Sequence, residues 1–300
     1  MAHKQGSFAI PFLVCCAGVA LFSVMDAAMK GLSLTIGLYN ALFWRALTGS
    51  LLGLALMLLT RQRWPTRAVL RIHLLRGVVV AFMAALFFWA LLRLPLAEAI
   101  ALSFIAPLIA LYLAALLLGE AVGRQAIGAS LLGLVGVAVI LSGKLQGHYD
   151  ADALLGVAAI LGSAVLFAWN LVIQRQQAQL ASPMEVAFFQ HLVMLGVFAT
   201  GAPWLAILPP LGAVPLVLLA STLAFTSLAA LAWAYARAEA QRLIPVEYSA
   251  FVWAAVMGWL AFGERVTLST IAGALLIVVA CLIAARSKRT DIPHVEASTA

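Results

Sequence analysis

The chain has 300 residues, of which 65% are hydrophobic and 10% charged, and its formal net charge is +7. A soluble domain carries about 25% charged residues, and no single soluble core could bury this much apolar surface. The composition therefore argues against an ordinary soluble domain and predicts that lipid surrounds the chain. The basic residues lie in short loops rather than on a folded basic domain, which argues against nucleic acid as a partner.

Apolar windows with few charged residues predict ten membrane-spanning helices, since about 20 residues cross a ~30 Å hydrocarbon core. The first window is too long for a signal-peptide core of about 7–15 residues, so we interpret it as an uncleaved span. Prolines divide the uncharged stretch 186–236 into two spans. In chain order, the predicted spans cover residues 8–30, 38–60, 76–93, 96–118, 125–143, 153–174, 183–203, 213–236, 243–262 and 266–285.

The second half of the chain repeats the first at an offset of 144 residues. The informative matches involve scarce residue types: Trp89 and Trp233, Arg93 and Arg237, and Gly119–Glu120 and Gly263–Glu264. Each half contains five predicted spans, and a repeat with an odd number of spans must insert upside down relative to its twin. Such repeats are typical of secondary transporters. The predicted fold is an all-α membrane protein of two inverted-topology five-helix repeats, residues 1–148 and 149–300, forming one transport domain.

The basic residues also predict the orientation, because cytoplasmic loops are enriched in Lys and Arg. With the N-terminus in the cytoplasm, thirteen basic residues fall on the inner side and four on the outer side. Both termini are therefore expected in the cytoplasm and the acidic loop with Asp150 and Asp152 outside. The loop Arg61–Arg76 is the strongest topology signal and is expected to touch anionic lipid.

Catalytic chemistry has almost no support in the sequence, so we do not expect an enzyme. There is no Walker motif, no Gly-x-Ser-x-Gly and no His-Glu-x-x-His. Cys15, Cys16 and Cys281 lie inside apolar segments and form no disulfide or metal-ligand spacing. No cofactor and no metal site is predicted.

Polar residues inside the predicted spans are the candidates for transport, because a polar group within the bilayer is costly. Asp26 is an acid deep in span 1, and Lys30 follows on the same helical face, so a structural ion pair is the alternative. Their repeat mates, Asn170 and Gln174, are polar without being charged. Polarity without charge is expected if that face lines a wet cavity.

Glu247 and Ser103 occupy equivalent positions in spans 9 and 4. Glu247 is either a substrate- or proton-binding carboxylate or an acid that stabilises a helix start. Pro107 lacks an N–H, so it must leave the Ser103 carbonyl without its helical partner and kink the span. A free carbonyl there is tolerable only beside protein or water, which places Ser103, the adjacent Phe104 and Glu247 in the predicted cavity.

Arg45 lies about 10 Å inside span 2, so it either snorkels to the outer surface or binds a substrate carboxylate or a helix terminus. His191 in span 7 is a second candidate for a charge or coupling role, with a packed, hydrogen-bonded histidine as the alternative. The pair Gly49 and Gly53 is interpreted as close packing inside the bundle, with a dimer face as the alternative.

Aromatic residues complete the predicted cavity. Trp169 and Tyr248 are the stronger candidates, because each adjoins a polar position. Trp89 and Trp233 are included, although a belt of aromatic residues at the membrane interface is the alternative for them.

The run from Leu94 to Pro107, the dipeptide Gly119–Glu120 and the weaker second copy at Ile244–Pro245 and Gly263–Glu264 resemble the EamA repeat of the drug/metabolite transporter superfamily. The resemblance implies ten helices, cytoplasmic termini and a central cavity. Length and span count are similar to those of the YddG-type amino-acid exporters.

The resemblance, together with the predicted topology, leads to the functional hypothesis of a secondary transporter that exports amino acids across the bacterial inner membrane by alternating access. Riboflavin, purine or S-adenosylmethionine carriers, of either direction, are the alternatives, and a non-transport membrane enzyme or subunit is a remote one. The expected partners are a small-molecule substrate and lipid. A monomer is sufficient, with a dimer as the alternative.

Overall fold

A computed structural model describes residues 9–62, 64–118, 124–145, 151–177, 180–237, 243 and 246–286. All regular structure in these residues is helical. Lipid offers no hydrogen bonds, so an apolar run can satisfy its backbone only as a helix. The helices are α1 Ala9–Ile36, α2 Leu38–Leu59, α3 Arg67–Leu91, α4 Leu96–Ser103, α5 Ala106–Leu118, α6 Arg124–Leu145, α7 Ala151–Gln177, α8 Pro183–Ala199, α9 Ala202–Leu205, α10 Val214–Tyr235, α11 Ala250–Phe262 and α12 Leu268–Arg286, with a 3₁₀ turn at Leu211–Ala213.

Five of these helices are long and apolar enough to cross a membrane by length and composition, and five shorter apolar helices accompany them. The structure is therefore that of an all-α membrane protein. The count of ten spans, the repeat boundaries 1–148 and 149–300, and the position of both termini remain predictions.

The prediction was wrong about where span 3 begins. We expected the span to start at residue 76, whereas α3 starts at Arg67 and is capped by the Thr66 hydroxyl, which accepts a hydrogen bond from the Val69 N–H. Arg76 is consequently a buried helical residue and does not touch lipid from a loop. A charge-free window finds only the apolar part of a helix, while arginine is itself a good helix former.

Close to Pro107, where a kink was expected, the helix is interrupted at Phe104 and Ile105, which separates α4 from α5. The same interruption recurs 144 residues later at Tyr248 and Ser249, immediately before α11. The second break has no proline, because the mate of Pro107 is Phe251, and the Phe251 N–H donates to the Tyr248 carbonyl in a tighter turn. The break is therefore a property of the fold that proline accommodates.

Equivalent helices of the two halves pack in equivalent pairs. α1 packs along α10 just as α7 packs along α3, and α2 packs on α8 while α6 packs on α12. Gly49 and Gly53 lie inside this packing, since a Cβ on Gly49 would enter the His191 ring and one on Gly53 would meet Phe188 and Phe225. We refer below to the His73 end of the bundle, where α3 and α8 begin and α7 ends, and to the Lys30 end, where α3 ends and α4 begins.

Candidate functional site

The two helix breaks meet in the interior of the protein. The ring of Phe104 contacts the ring of Tyr248 edge to face, with a centroid distance of 5.1 Å and an interplanar angle of 83°. These residues are repeat mates, and mates can touch only where the two halves adjoin an axis that relates them. Both side chains are only partly buried.

At the first break, backbone groups form hydrogen bonds with other groups inside the bundle. The Leu108 N–H donates to the Ile105 carbonyl, so the Phe104 carbonyl loses its usual helical donor. The Cys281 thiol of α12 lies 3.2 Å from that carbonyl and donates to it. The Ser103 hydroxyl donates to the Ala99 carbonyl one turn earlier. Cys281 is thus a buried residue whose thiol supplies the hydrogen-bond donor that the Phe104 carbonyl lacks.

Glu247 lies directly before the second break, where its carboxylate accepts a hydrogen bond of 2.5 Å from the Tyr235 hydroxyl of α10. No ion pair with a described residue neutralises this carboxylate. The acid precedes α11, which begins at Ala250, so it does not serve as a first-turn acid of that helix.

Asp26 of α1 and Arg45 of α2 are both buried and interact electrostatically. They do not form an ion pair, and among the described residues the Arg45 Nε has no hydrogen-bond partner. The guanidinium lies 5.4 Å from the Phe88 ring centroid, and its Nη1 is 3.6 Å from the Met25 sulfur. Arg45 therefore does not snorkel to the surface, and Asp26 does not pair with Lys30.

His191 of α8 belongs to the same buried region and interacts electrostatically with Arg45. Its Nδ1 donates to the Ala187 carbonyl at 2.8 Å, which fits the packed, hydrogen-bonded alternative. The ring occupies the space left by Gly49.

Lys30 instead joins the two halves at the Lys30 end. Its ammonium pairs with the Glu264 carboxylate and donates to the Leu94 carbonyl at 2.8 Å. The other Glu264 oxygen accepts from the Leu96 N–H at 2.7 Å, at the start of α4. The Gly–Glu motif explains this geometry, because Gly263 adopts φ +65° to end α11 and thereby places Glu264 at the junction. Its repeat mate Glu120 lies outside the described residues.

A second network closes the His73 end and was not predicted as a site. Arg76 donates from Nε to the Asn170 side-chain oxygen at 2.8 Å and from Nη1 to the Gln177 side-chain oxygen at 2.5 Å. The Gln177 amide nitrogen lies 2.6 Å from His73 Nδ1, and His73 Nε2 lies 2.9 Å from the Glu185 carboxylate. All five side chains are buried. Asn170 thus faces this network.

Comparison with known proteins now decides the family. The pattern of the EamA-like transporter family matches twice, at residues 9–142 and 154–286. The chain belongs to the EamA-like transporter family. The pseudopaline exporters CntI of Pseudomonas aeruginosa strains UCBPP-PA14 and PAO1 are each 30% identical to it over 272 residues, which cover 89% of this chain and 93% of theirs. A protein of known crystal structure, 22% identical, shares the fold with a TM-score of 0.61 and covers 94% of this chain and 100% of its own.

This EamA-family protein is therefore a small-molecule membrane transporter. Among its described residues, no group of three or more His, Cys, Asp or Glu side chains could hold a metal ion.

In this EamA-family transporter, Trp89 and Trp233 lie close to the ends of α3 and α10. Arg93 stacks on Trp89 at 3.5 Å and donates to its carbonyl, and Arg237 does the same to Trp233 at 4.2 Å. This geometry favours the interfacial alternative for both tryptophans. Trp169 is 41% exposed, on a different face of α7 from the buried Asn170.

The structure therefore brings the predicted site residues together in three groups. Phe104, Tyr248, Ser103 and Glu247 lie at the breaks, Asp26, Arg45 and His191 form a second group in the buried core, and Asn170 lies in the His73 network. Sequence reasoning missed His73, Gln177 and Glu185, because it assigned His73 to a loop, left Gln177 outside span 6 and did not consider the acid at the start of span 7. Their only signal was a helical spacing of His73 and Arg76 ahead of an apolar run.

Proposed function

We propose that the protein exports a small zwitterionic metabolite, an amino acid or a derivative of one, across the bacterial inner membrane by alternating access. The two halves would move as inverted five-helix repeats, residues 1–148 and 149–300, within a bundle of ten spans whose termini are both cytoplasmic. The His73 end would face the cytoplasm and the Lys30 end the outside.

One observation carries this proposal, namely the contact between Phe104 and Tyr248 at equivalent helix breaks. Inverted-repeat carriers bind substrate near the midplane, at discontinuous helices between the halves. The paired packing of α1 on α10 and of α7 on α3 supports the same arrangement. Phe104, Ser103, Glu247 and Tyr248 are thus the proposed lining of the central cavity.

The buried Asp26 and Arg45 support a zwitterionic substrate. Asp26 is a buried acid and Arg45 a buried base, the two form no ion pair, and an incompletely paired buried charge such as that of Arg45 is costly. A solute with an ammonium and a carboxylate group could satisfy both when the bundle opens. Phe104 and Tyr248 would pack on its apolar part, and His191 would hold Arg45 in place.

The exporter named among the relatives supports outward transport of a small metabolite. Carriers of riboflavin, purine or S-adenosylmethionine-like solutes, in either direction, are the second candidate, because the aromatic pair at the breaks would also suit a flat ring. A non-transport enzyme remains the remote alternative.

The test is transport into and out of liposomes that contain the purified protein, with a panel of labelled amino acids, riboflavin, a purine and S-adenosylmethionine. We expect selective movement of amino acids, and we expect Asp26→Asn and Arg45→Gln to abolish it while the protein remains monodisperse. Asp152→Asn is the matched control, since that acid is exposed. Movement of only the ring compounds would discard the zwitterion proposal, and no movement by a folded protein would discard transport.

A further inference from the structure

The hydrogen-bond network at the His73 end has a fixed direction. Arg76 can only donate, so the Asn170 and Gln177 oxygens must both face it. The Gln177 amide then presents its NH₂ group to His73. His73 Nδ1 must accept this hydrogen bond and therefore carries no proton. The remaining proton of a neutral imidazole is on Nε2, which donates to the Glu185 carboxylate.

In this arrangement, a second proton on the His73 ring would have no hydrogen-bond acceptor. A proton on Nδ1 would point at the Gln177 NH₂ group at 2.6 Å. Rotating the amide would relieve that contact but would turn its NH₂ group against the Arg76 guanidinium. Arg76 thus excludes the proton through Gln177, at a distance of two hydrogen bonds.

Withdrawal of α7 would change which protonation state of His73 its surroundings favour. Glu185 of α8 favours the imidazolium electrostatically, whereas Arg76 of α3 opposes it, and α7 contributes the amides Gln177 and Asn170. Phe189 stacks on the ring at 4.7 Å and Trp64, in the segment between α2 and α3, covers Phe189. Separation of α7 from α3 would remove the Gln177 NH₂ group and admit water to Nδ1 while Glu185 stays on α8.

We propose that His73 is a proton-binding site that is empty while the His73 end is closed and occupied when this end opens. The proposal rests on the proposed function only in assuming that the two ends open in turn. If His73 binds a proton in this way, the His73 end opens more often as the pH on its side of the membrane falls. Access of substrate from that side then increases as well.

The first measurement is nitrogen-15 NMR of the histidines in the full-length protein in liposomes. At neutral pH we expect His73 to be neutral with its proton on Nε2, and His191, which donates from Nδ1, to show the opposite tautomer as an internal reference. Gln177→Glu places an acceptor at Nδ1, so it should shift uptake of the second proton by His73 to higher pH. A doubly protonated His73 at neutral pH, or no shift in Gln177→Glu, would overturn the proposal.

The second measurement is solute exchange in liposomes with equal pH on both sides, over about pH 8 to 5, the range in which histidine titrates. We expect the pH dependence of exchange to disappear in His73→Gln and to persist in the control Asp152→Asn, which changes an exposed acid outside the His73 network. A pH profile that is the same in His73→Gln as in the wild type contradicts the proposal. If no solute moves at all, the proposed function fails, while the NMR result still decides the proton site.

Discussion

At the Lys30 end, the halves are joined by the Lys30–Glu264 ion pair, which also binds backbone, whereas at the His73 end amides and a histidine link Arg76 to Glu185. Lys30 and Glu264 each use a second hydrogen bond to hold the junction between α3 and α4. The His73 network bonds only side chains, and one of them can titrate. The difference teaches that one end of this carrier is held by an ion pair and backbone, and the other by side-chain donors and acceptors that include a titratable histidine.

The largest effect is expected from Lys30→Ala. Removing the buried Lys30 leaves the partly buried Glu264 carboxylate without its cation, so the free energy of unfolding should fall by about 3 kcal/mol. Chemical denaturation in detergent measures it. The double exchange Lys30→Glu with Glu264→Lys should not restore stability, because the Leu94 carbonyl would face an acid and the Leu96 N–H a cation. Full recovery in the double variant would mean that the ion pair alone closes this end.

A smaller loss is expected from Gln177→Leu at the His73 end. The change leaves His73 Nδ1 and Arg76 Nη1 buried without their partner, which should cost about 2 kcal/mol in the same denaturation experiment. The neighbouring Gln174→Leu, one turn earlier and outside the network, is the control. Equal losses in both variants would show that the network does not hold this end.

A still smaller effect is expected midway between the two ends, from Pro107→Ala. The equivalent break at Tyr248 and Ser249 has no proline, so the interruption at Phe104 and Ile105 should persist with a change in stability below about 1 kcal/mol. Carbon chemical shifts of Phe104 and Ile105 report it. Helical shifts that run continuously through both residues would instead assign the break to the proline.

The smallest effect is expected from Arg93→Ala, which removes the other ion pair of the Lys30 end. Its partner Asp152 is largely exposed, and exposed pairs contribute about 0.5 kcal/mol. Denaturation at low and high salt should therefore barely distinguish the variant from the wild type. A loss of stability as large as that of Lys30→Ala would mean that the exposed Arg93–Asp152 pair contributes as much as the backbone-bound Lys30–Glu264 pair.

Much of the candidate site could be predicted from the sequence, for identifiable reasons. Pro107 has no N–H and therefore indicates a break in its helix. The offset of 144 residues relates Phe104 to Tyr248, so the position of the equivalent break could also be predicted. The partners of Lys30, Glu247 and Asn170 were not accessible. Each partner lies on a helix distant in sequence, and nothing local distinguishes Glu264 from Asp26 as the acid that Lys30 contacts.

The sequence by itself determined that lipid surrounds the chain, that its structure is helical and which family it resembles. An apolar chain in lipid must satisfy its backbone hydrogen bonds internally, and a helix does so. It also determined that glycine ends α11 before Glu264, since only that residue accepts φ +65° without strain. Tertiary structure alone decided which polar groups meet. Hydrogen bonds are short and directional, so the contacts among His73, Gln177 and Glu185 exist only once three helices pack at one end of the bundle.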